Sequence, residues 1–286
     1  MPELPEVETI RRGLSANIVG KKINGVQIKK SNLVRNTDRF FVTTLQNNSF
    51  AKIDRIGKLL IFELKKGNWL LLVHLKMTGQ LIYSSADVLL AGGHNWPLVS
   101  DKLPNKFSHV IFSFSDGSSL FYNDLRQFGY LRLIKKKDRG LIETKFGIEP
   151  GQKNFTWQNF AKIFVGKKTK IKALLLNQQL IAGLGNIYVD EICFRAGVRP
   201  DRNVDKLQEK ELKKIFKATD YIIKKAIAKK GTTFSDYRDA ENKKGNFSFY
   251  LKVYGRKGEQ CFSCQGQIEK IKLAGRGTHF CLNCQK

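Results

Sequence analysis

The residues with the most specific chemistry are four cysteines close to the end of the chain. In CFSCQGQIEKIKLAGRGTHFCLNC they form two C-x2-C pairs, Cys261 with Cys264 and Cys281 with Cys284. Each pair can bind one tetrahedral ion from a tight turn, and two pairs complete the four sulfur ligands of a structural zinc ion. Two disulfides are the alternative. The spacing predicts one zinc ion, with no open coordination position for catalysis.

Basic residues lie between the two cysteine pairs: Lys270, Lys272 and Arg276, the last flanked by glycines. A zinc-bound hairpin with an arginine at its tip is suited to contact phosphate groups. Solvated surface charge is the alternative. His279 is close in sequence to the ligand Cys281. Because four cysteines already complete the ligand set of the ion, we interpret His279 as structural.

A second pattern with binding chemistry is LIAGLGNIYVDE. One helix is predicted to end near Leu180, the chain turns through Gly183 and Gly185, and Asn186 begins the next helix. Glycines allow close backbone approach, and the amides of a helix N-terminus bind anionic oxygen, to which Asn186 adds a side-chain hydrogen bond. An ordinary helical hairpin with an Asn cap is the alternative.

The charge of the chain indicates what kind of partner these sites serve. There are 51 Lys and Arg residues against 25 Asp and Glu, a formal net charge of +26. Such a surplus favours a polyanionic partner, nucleic acid above all, although a general lysine bias also raises it. No stretch reaches the roughly 18 apolar residues of a membrane span. The start lacks signal-peptide features, so we expect a cytoplasmic protein, in which metal is favoured over disulfides.

The elements that position these residues fall into two halves. Leu4, Val7, Ile10 and Leu14 have helical spacing, which predicts a helix almost at the start of the chain. From Lys21 to about Arg132, short runs of Val, Ile, Phe and Leu separated by turns predict an all-β sandwich or barrel. Residues 84–106 are predicted to form a long surface loop.

The composition changes after a Pro/Gly linker at residues 146–155. Helical patterns follow, then a polar stretch at residues 231–246 and a basic, hairpin-like tail.

Six motifs, taken together and in order, resemble the formamidopyrimidine-DNA glycosylases of base excision repair. They are PELPEVET at the start, RIGKLL at 55–60, HLKMTGQL at 74–81, DLRQFG at 124–129, LIAGLGNIYVDE at 180–191 and VYGRKGEQC at 253–261. The four-cysteine tail completes the match. The resemblance implies an α+β chain with a β-sandwich carrying a catalytic N-terminal helix (1–145), a helix–two-turns–helix domain (152–245) and a zinc finger (250–286).

The resemblance also implies excision of oxidised purines, 8-oxoguanine and formamidopyrimidines, followed by β,δ-elimination at the abasic site. If Met1 is removed, Pro2 becomes a secondary amine, and because α-amino groups have pKa values of about 7.7–8.0, part of it is neutral at pH 7. Pro2 is then the nucleophile that forms a Schiff base with the sugar, and Glu3 is the acid/base. Lys58 assists at the sugar, base or phosphate, and Glu6 supports the helix start.

No catalytic cofactor is implied, only the structural zinc. The implied partner is double-stranded DNA with oxidised bases or abasic sites, bound by a monomer without membrane contact. Met77, Arg126 and Phe128 would fill the space left by the extruded nucleotide. Read without the resemblance, Met77 and Phe128 are core residues. The implied phosphate contacts are Lys58, His74, Lys172, Asn186, Tyr254 and Arg276, and for His74 a buried core histidine is the rival interpretation.

Two departures from the family pattern concern the choice of lesion: Lys230 precedes Gly231 where the family often has Gly-Gly, and Thr78 follows the wedge methionine. An endonuclease VIII-type enzyme for oxidised pyrimidines is therefore one alternative. A non-catalytic damaged-DNA-binding protein is another, although Pro2, Glu3 and Lys58 are all present.

Overall fold

The computed structural model describes residues 1–93, 102–232 and 247–286. Contacts group the chain into two units. The first comprises Met1–Thr144 with the described residues of Lys229–Asn246, and the second comprises Lys145–Ala228 with Phe247–Lys286. The residues that directly follow the last long helix thus belong with the N-terminal unit.

Two antiparallel sheets form the first unit. The strands are β1 (Ile23–Ile28), β2 (Phe50–Ile56), β3 (Leu59–Leu64), β4 (Trp69–His74), β5 (Gly79–Ser84), β6 (Leu89–Gly93), β7 (Ser108–Phe114), β8 (Ser119–Asp124) and β9 (Tyr130–Lys135). The strand orders are β1-β7-β8-β5-β6 in one sheet and β2-β3-β4-β9 in the other. The helices are α1 (Leu4–Ile18), α2 (Asp38–Leu45) and α3 (Arg139–Glu143).

The core of this unit lies between the sheets and under α1. Alternate residues of each strand point inward, such as Leu60 and Phe62 from one sheet and Leu81 and Tyr83 from the other. Val7, Ile10, Leu14 and Ile18 of α1 are buried in the same cluster. The predicted sandwich with an attached first helix is confirmed.

Two elements of the sandwich were not predicted. Helix α2 interrupts the strand-like region, where Phe41 and Leu45, one helical turn apart, are buried. Strand β6 lies inside the predicted loop at 84–106, and the prediction is wrong there because Leu90 enters the core and residues 89–93 pair with β5. Residues 94–101 of that segment lie outside the described residues.

Helices form most of the second unit: α4 (Trp157–Lys162), α5 (Ile171–Leu175), α6 (Asn186–Ala196) and α7 (Glu209–Ala228), followed by the hairpin β10 (Ile268–Leu273) and β11 (Arg276–Cys281). Helix α5 ends earlier than the predicted Leu180. The Gln178 side chain explains this, since its amide donates to the carbonyls of Leu176 and Leu184 and its oxygen accepts from the Gly183 amide. These bonds stabilise two turns instead of a continued helix.

Among the helices of the described ranges, none combines the length and apolar character that crossing a membrane requires.

Candidate active site and metal centre

The first turn of α1 holds the candidate nucleophile and acid in a fixed frame. Glu3 caps the helix, and its side chain accepts the Glu6 amide while Glu6 Oε2 accepts the Glu3 amide at 2.9 Å. This reciprocal capping box satisfies two helix-end amides. Pro2 is buried, and Glu3 is only 2% exposed. The backbone on which Pro2 and Glu3 stand is therefore rigid.

The second oxygen of Glu6 binds the chain beyond α7. Oε1 accepts hydrogen bonds from the Thr232 amide at 2.8 Å and from its hydroxyl at 3.1 Å. A Cβ on Gly231 would lie 2.6 Å from that oxygen, and the φ of Gly231 is +80°. Lys230 also adopts a positive φ of 60°. The preceding Gly of the family pattern is thus replaced by a lysine in a glycine-like conformation, at a cost of about 1 kcal/mol.

Lys58 lies in the turn between β2 and β3, and an ion pair connects this turn to α1. Arg55 lies 3.1 Å from Glu8 and donates to the Gly57 carbonyl at 2.9 Å. Burial raises the pKa of Glu8, but hydrogen bonds from Arg11 and Arg12 and the charge of Arg55 outweigh it and lower the pKa to about 2. Glu8 stays ionised at neutral pH, so the turn carrying Lys58 is held against the first helix. Sequence reasoning missed this role of Glu8.

His74 ends β4 as a neutral imidazole. Burial, followed by the charges of Lys76 and Lys58, lowers its pKa to about 3. Nδ1 accepts the Lys76 amide at 3.0 Å, which assigns the proton to Nε2. The ring is therefore neutral and can donate its Nε2 proton to an acceptor oxygen.

We expect His74 to lower the stability of the folded protein as the pH is lowered. Its folded pKa lies below the ordinary value of 6.5, so between pH 6.5 and 3 the unfolded chain takes up a proton that the folded chain refuses. From pH 7 to pH 5 this removes about 2 kcal/mol from the free energy of unfolding. Urea unfolding at both pH values should show that His74→Gln lacks this part of the loss. An identical loss in the variant would contradict the assignment.

The loops that carry Met77, Arg126 and Phe128 are joined by one buried hydroxyl. Thr78 Oγ1 donates to Asp124 Oδ1 at 2.5 Å and accepts the Arg126 amide at 2.9 Å. The Arg126 guanidinium lies 4.5 Å from the centre of the Phe128 ring, and Phe128 is 52% exposed. Exposure of this ring is inconsistent with a core role. Thr78, which sequence reasoning connected with lesion choice, here joins the two loops.

Asp124 completes this bridge. Its other carboxylate oxygen accepts the Gly129 amide at 2.8 Å, and a Cβ on Gly129 would lie 1.8 Å from the Tyr122 hydroxyl. The glycine of DLRQFG is thus required by close packing. The DLRQFG motif contains both Asp124 and Gly129, but it does not show that the Thr78 hydroxyl donates a hydrogen bond to Asp124.

Thr78→Val should loosen both loops. The substitution keeps the shape but removes the hydroxyl, which leaves Asp124 Oδ1 buried without its donor and costs about 1–3 kcal/mol. Thr78→Ser keeps the hydroxyl and is the matched control. We expect a lower free energy of unfolding for the valine variant alone, and slower release of the base in the reaction that the sequence resemblance implies. Equal values for both variants would show that the hydroxyl bridge has no role.

In the second unit, the helix–two-turns–helix element and the hairpin of β10 and β11 meet at one carbonyl. Asn186 Nδ2 donates to the Gly277 carbonyl at 3.0 Å, and Lys172 Nζ donates to it at 3.3 Å. Lys172 also pairs with Asp190 at 2.6 Å, with both side chains fully buried. The other oxygen of Asp190 accepts the His279 amide at 2.8 Å. Asp190 therefore fixes both Lys172 and β11.

The candidate phosphate contacts of this unit differ in exposure. Arg276 is exposed at the end of a tight turn, whereas Lys172 is fully buried, so its ammonium reaches no solvent in this structure. Asn186 Oδ1 is buried and has no hydrogen-bond partner within residues 1–93, 102–232 and 247–286. Tyr254 packs edge-on against His279 at 5.1 Å. Burial of His279 agrees with the structural role predicted for it.

Asp190→Asn should destabilise the protein strongly. It leaves the buried Lys172 ammonium without a counter-charge, which costs about 3–5 kcal/mol, while the amide oxygen can still accept the His279 amide. Adding Lys172→Met removes the unpaired charge and should restore most of the lost free energy of unfolding in urea. A double variant no more stable than Asp190→Asn would contradict this account.

The four predicted cysteine ligands converge. All four sulfur atoms lie within 4.8 Å of one another, with Cys261 and Cys284 at 3.8 Å and Cys264 and Cys281 at 3.4 Å. Tetrahedral zinc with Zn–S bonds of about 2.3 Å places its sulfurs about 3.8 Å apart. The distances are far longer than a disulfide bond. The donor set and spacing fit one metal ion with four thiolate ligands.

Comparison with known proteins agrees with this arrangement. The family model for the formamidopyrimidine-DNA glycosylase N-terminal domain matches residues 1–131, and that for the H2TH domain of the same enzymes matches residues 146–238. The formamidopyrimidine-DNA glycosylases of Desulfitobacterium hafniense and Listeria monocytogenes are 38% and 40% identical, each over the full length of both chains.

A solved structure of Lactococcus lactis Fpg with DNA containing an abasic site is 35% identical, with a TM-score of 0.87 over 99% of each chain. Other complexes of that relative contain N7-benzyl-Fapy-dG or an oxidised pyrimidine in DNA. Identity and coverage at this level establish common descent. The chain belongs to the formamidopyrimidine-DNA glycosylase family.

Proposed function

We propose that this chain releases oxidised purines, 8-oxoguanine and formamidopyrimidines, from double-stranded DNA and then cleaves the abasic strand by β,δ-elimination. The observation that carries the proposal is the capping box that holds Pro2 and Glu3 in a buried, rigid frame. Family membership and the lesion-containing complexes of the Lactococcus relative support it.

After removal of Met1, the Pro2 nitrogen forms a bond to C1′ of the deoxyribose while the bond from C1′ to the base nitrogen breaks. The departing base takes up the proton that the amine gives up, and Glu3 then donates a proton to the ring oxygen as the sugar opens. The product is an iminium cation, which draws electrons from C2′ and acidifies its proton. Loss of that proton with the 3′ phosphate, then loss of the 5′ phosphate, completes the two eliminations.

The other residues position the DNA. Lys58 and His74 lie close enough for the lysine charge to lower the histidine pKa, so both can contact a phosphate near the sugar. The exposed Arg126 and Phe128, with Met77 on the joined loop, are suited to occupy the gap left by the extruded nucleotide. In the second unit, Asn186, Tyr254 and Arg276 are the proposed contacts to the DNA backbone. The buried Lys172 fixes the Gly277 carbonyl, to which Asn186 also donates.

The four thiolates are proposed to hold one zinc ion. Zinc with four sulfur ligands has no open position, so its contribution is to fix the hairpin that presents Arg276. The chemistry of bond cleavage rests on the amine and the carboxyl groups of the protein.

Single-turnover excision from matched duplexes tests the substrate class. One duplex carries 8-oxoguanine opposite cytosine and the other thymine glycol opposite adenine. We expect faster release of 8-oxoguanine. Faster release of thymine glycol would place the chain with the endonuclease VIII-type enzymes instead.

A further inference from the structure

A basic cavity in the second unit is lined, apart from Cys284, by residues that have no role in the sites described so far. Its volume is about 700 Å³, within the range usual for binding cavities, and it lies beside α6, α7, the turn Phe247–Tyr250 and the cysteine cluster. Phe194, Ile222, Phe247, Tyr221 and Tyr250 supply apolar and aromatic walls. None of these residues has a part in the proposed reaction.

Positive charge surrounds this basic cavity without matching negative charge. Arg195, Lys214, Lys225 and Lys252 line it, and none of the four forms an ion pair with another residue of the described ranges. Glu191 is the carboxylate among the lining residues, and its two oxygens already accept the amides of residues 252, 253 and 254. The cavity is therefore complementary to an anionic ligand.

The aromatic walls are held in place by the cations. The Arg195 guanidinium lies 3.5 Å from the centre of the Tyr221 ring, and Lys225 Nζ lies 4.2 Å from that of Tyr250. Such pairs fix rings and charges together. The basic cavity thus combines an apolar interior with a charged rim, an arrangement that recognises an apolar anchor flanked by acidic groups.

Exposed aromatic rings near the cavity favour a peptide over a phosphate ligand. Phe249, in the turn that supplies Phe247 and Tyr250, is 83% exposed, and Phe262, which Lys252 covers at 4.8 Å, is 60% exposed. Exposed aromatic rings beside a cavity mark protein contact surfaces.

From these observations we infer that the basic cavity is a docking site for an acidic segment of a partner protein, which places one aromatic side chain against the apolar walls of the cavity and its carboxylates on Arg195, Lys214, Lys225 and Lys252. Binding here is separate from base excision, because the cavity residues take no part in the proposed chemistry.

Fluorescence anisotropy with a labelled peptide tests the inference. The probe is Gly-Ser-Asp-Asp-Asp-Asp-Leu-Phe with fluorescein at its N-terminus, added to the full-length, metal-loaded protein. We expect saturable binding that Lys225→Glu weakens about tenfold, or about 1.4 kcal/mol. Lys213→Glu carries the same charge change on α7 but does not line the cavity, and it should leave binding within about twofold of the parent value.

A second peptide, with the terminal Phe replaced by Ala, should also bind about tenfold more weakly, because the buried ring supplies the anchor. Equal melting temperatures and excision rates for the two lysine variants would show that both are folded. The inference is overturned by an absence of saturable binding, by equal weakening in both lysine variants, by indifference to the Phe, or by displacement of the peptide by a nucleoside triphosphate at lower concentration than by unlabelled peptide.

Discussion

Pro2→Gly is expected to slow strand cleavage at an abasic site by about 10²–10³-fold while DNA binding stays within about threefold. The glycine amine can rotate and has no ring to hold it against Glu3, so the near-attack geometry fixed by the capping box is lost. Single-turnover cleavage of a pre-formed abasic duplex measures the rate, and anisotropy with a tetrahydrofuran-containing duplex measures binding.

Pro5→Ala is the matched control. It replaces a proline in the same helical turn but leaves the terminal amine unchanged, and we expect cleavage within about threefold of the parent rate. Full activity of Pro2→Gly would remove Pro2 from the role of nucleophile. Equal losses of cleavage and binding in Pro2→Gly would instead indicate a disturbed fold.

Cys261→Ser should have the second largest effect, through the loss of the metal. A structural zinc site contributes on the order of 10 kcal/mol to the folding of its own segment, and removing one of four thiolates abolishes tight binding. The hairpin that presents Arg276 then loses its support. We expect metal content to fall from one ion per chain to none, and affinity for damaged and undamaged DNA to fall alike, by about 10–100-fold.

Cys193→Ala is the control for this variant, since Cys193 is buried in α6 and is not one of the four converging cysteines. It should keep the metal ion and the DNA affinity. Elemental analysis of the purified proteins, with zinc as the expected element, gives the first readout. Normal DNA affinity with a changed choice of lesion in Cys261→Ser would contradict the proposed role of the hairpin.

Much of the architecture was accessible from the sequence because local patterns determined it. Short runs of Val, Ile, Phe and Leu between turn residues predicted the strands of the sandwich other than β6, and the spacing in α1 specifies its buried side. The four cysteines converge as their spacing predicted, since C-x2-C turns bring sulfurs together with little help from the rest of the fold.

Other features depend on partners far apart in the chain, and no local pattern shows them. Thr78 reaches Asp124 across 46 positions, and Asp190 reaches the His279 amide across 89. Strand β6 was missed because a short apolar run next to glycines resembles a loop until β5 offers an edge to pair with. The early end of α5 follows from one glutamine side chain that stabilises the turns.

The burial of Lys172 shows a further limit. A lysine between helix-forming residues gives no sign of whether its ammonium faces solvent or a carboxylate. Here Asp190, one turn into α6, forms an ion pair with Lys172, and both side chains are buried. The charge excess of the chain therefore overstates the number of cations that are available to DNA.

Borohydride reduction of the enzyme bound to abasic DNA, followed by peptide mass spectrometry, tests the central claim most directly. Reduction converts an iminium into a stable crosslink at the residue that formed it. We predict a crosslinked N-terminal peptide, lacking Met1, in which Pro2 carries the sugar remnant. A crosslink on an internal lysine such as Lys58, with Pro2 unmodified, would contradict the account.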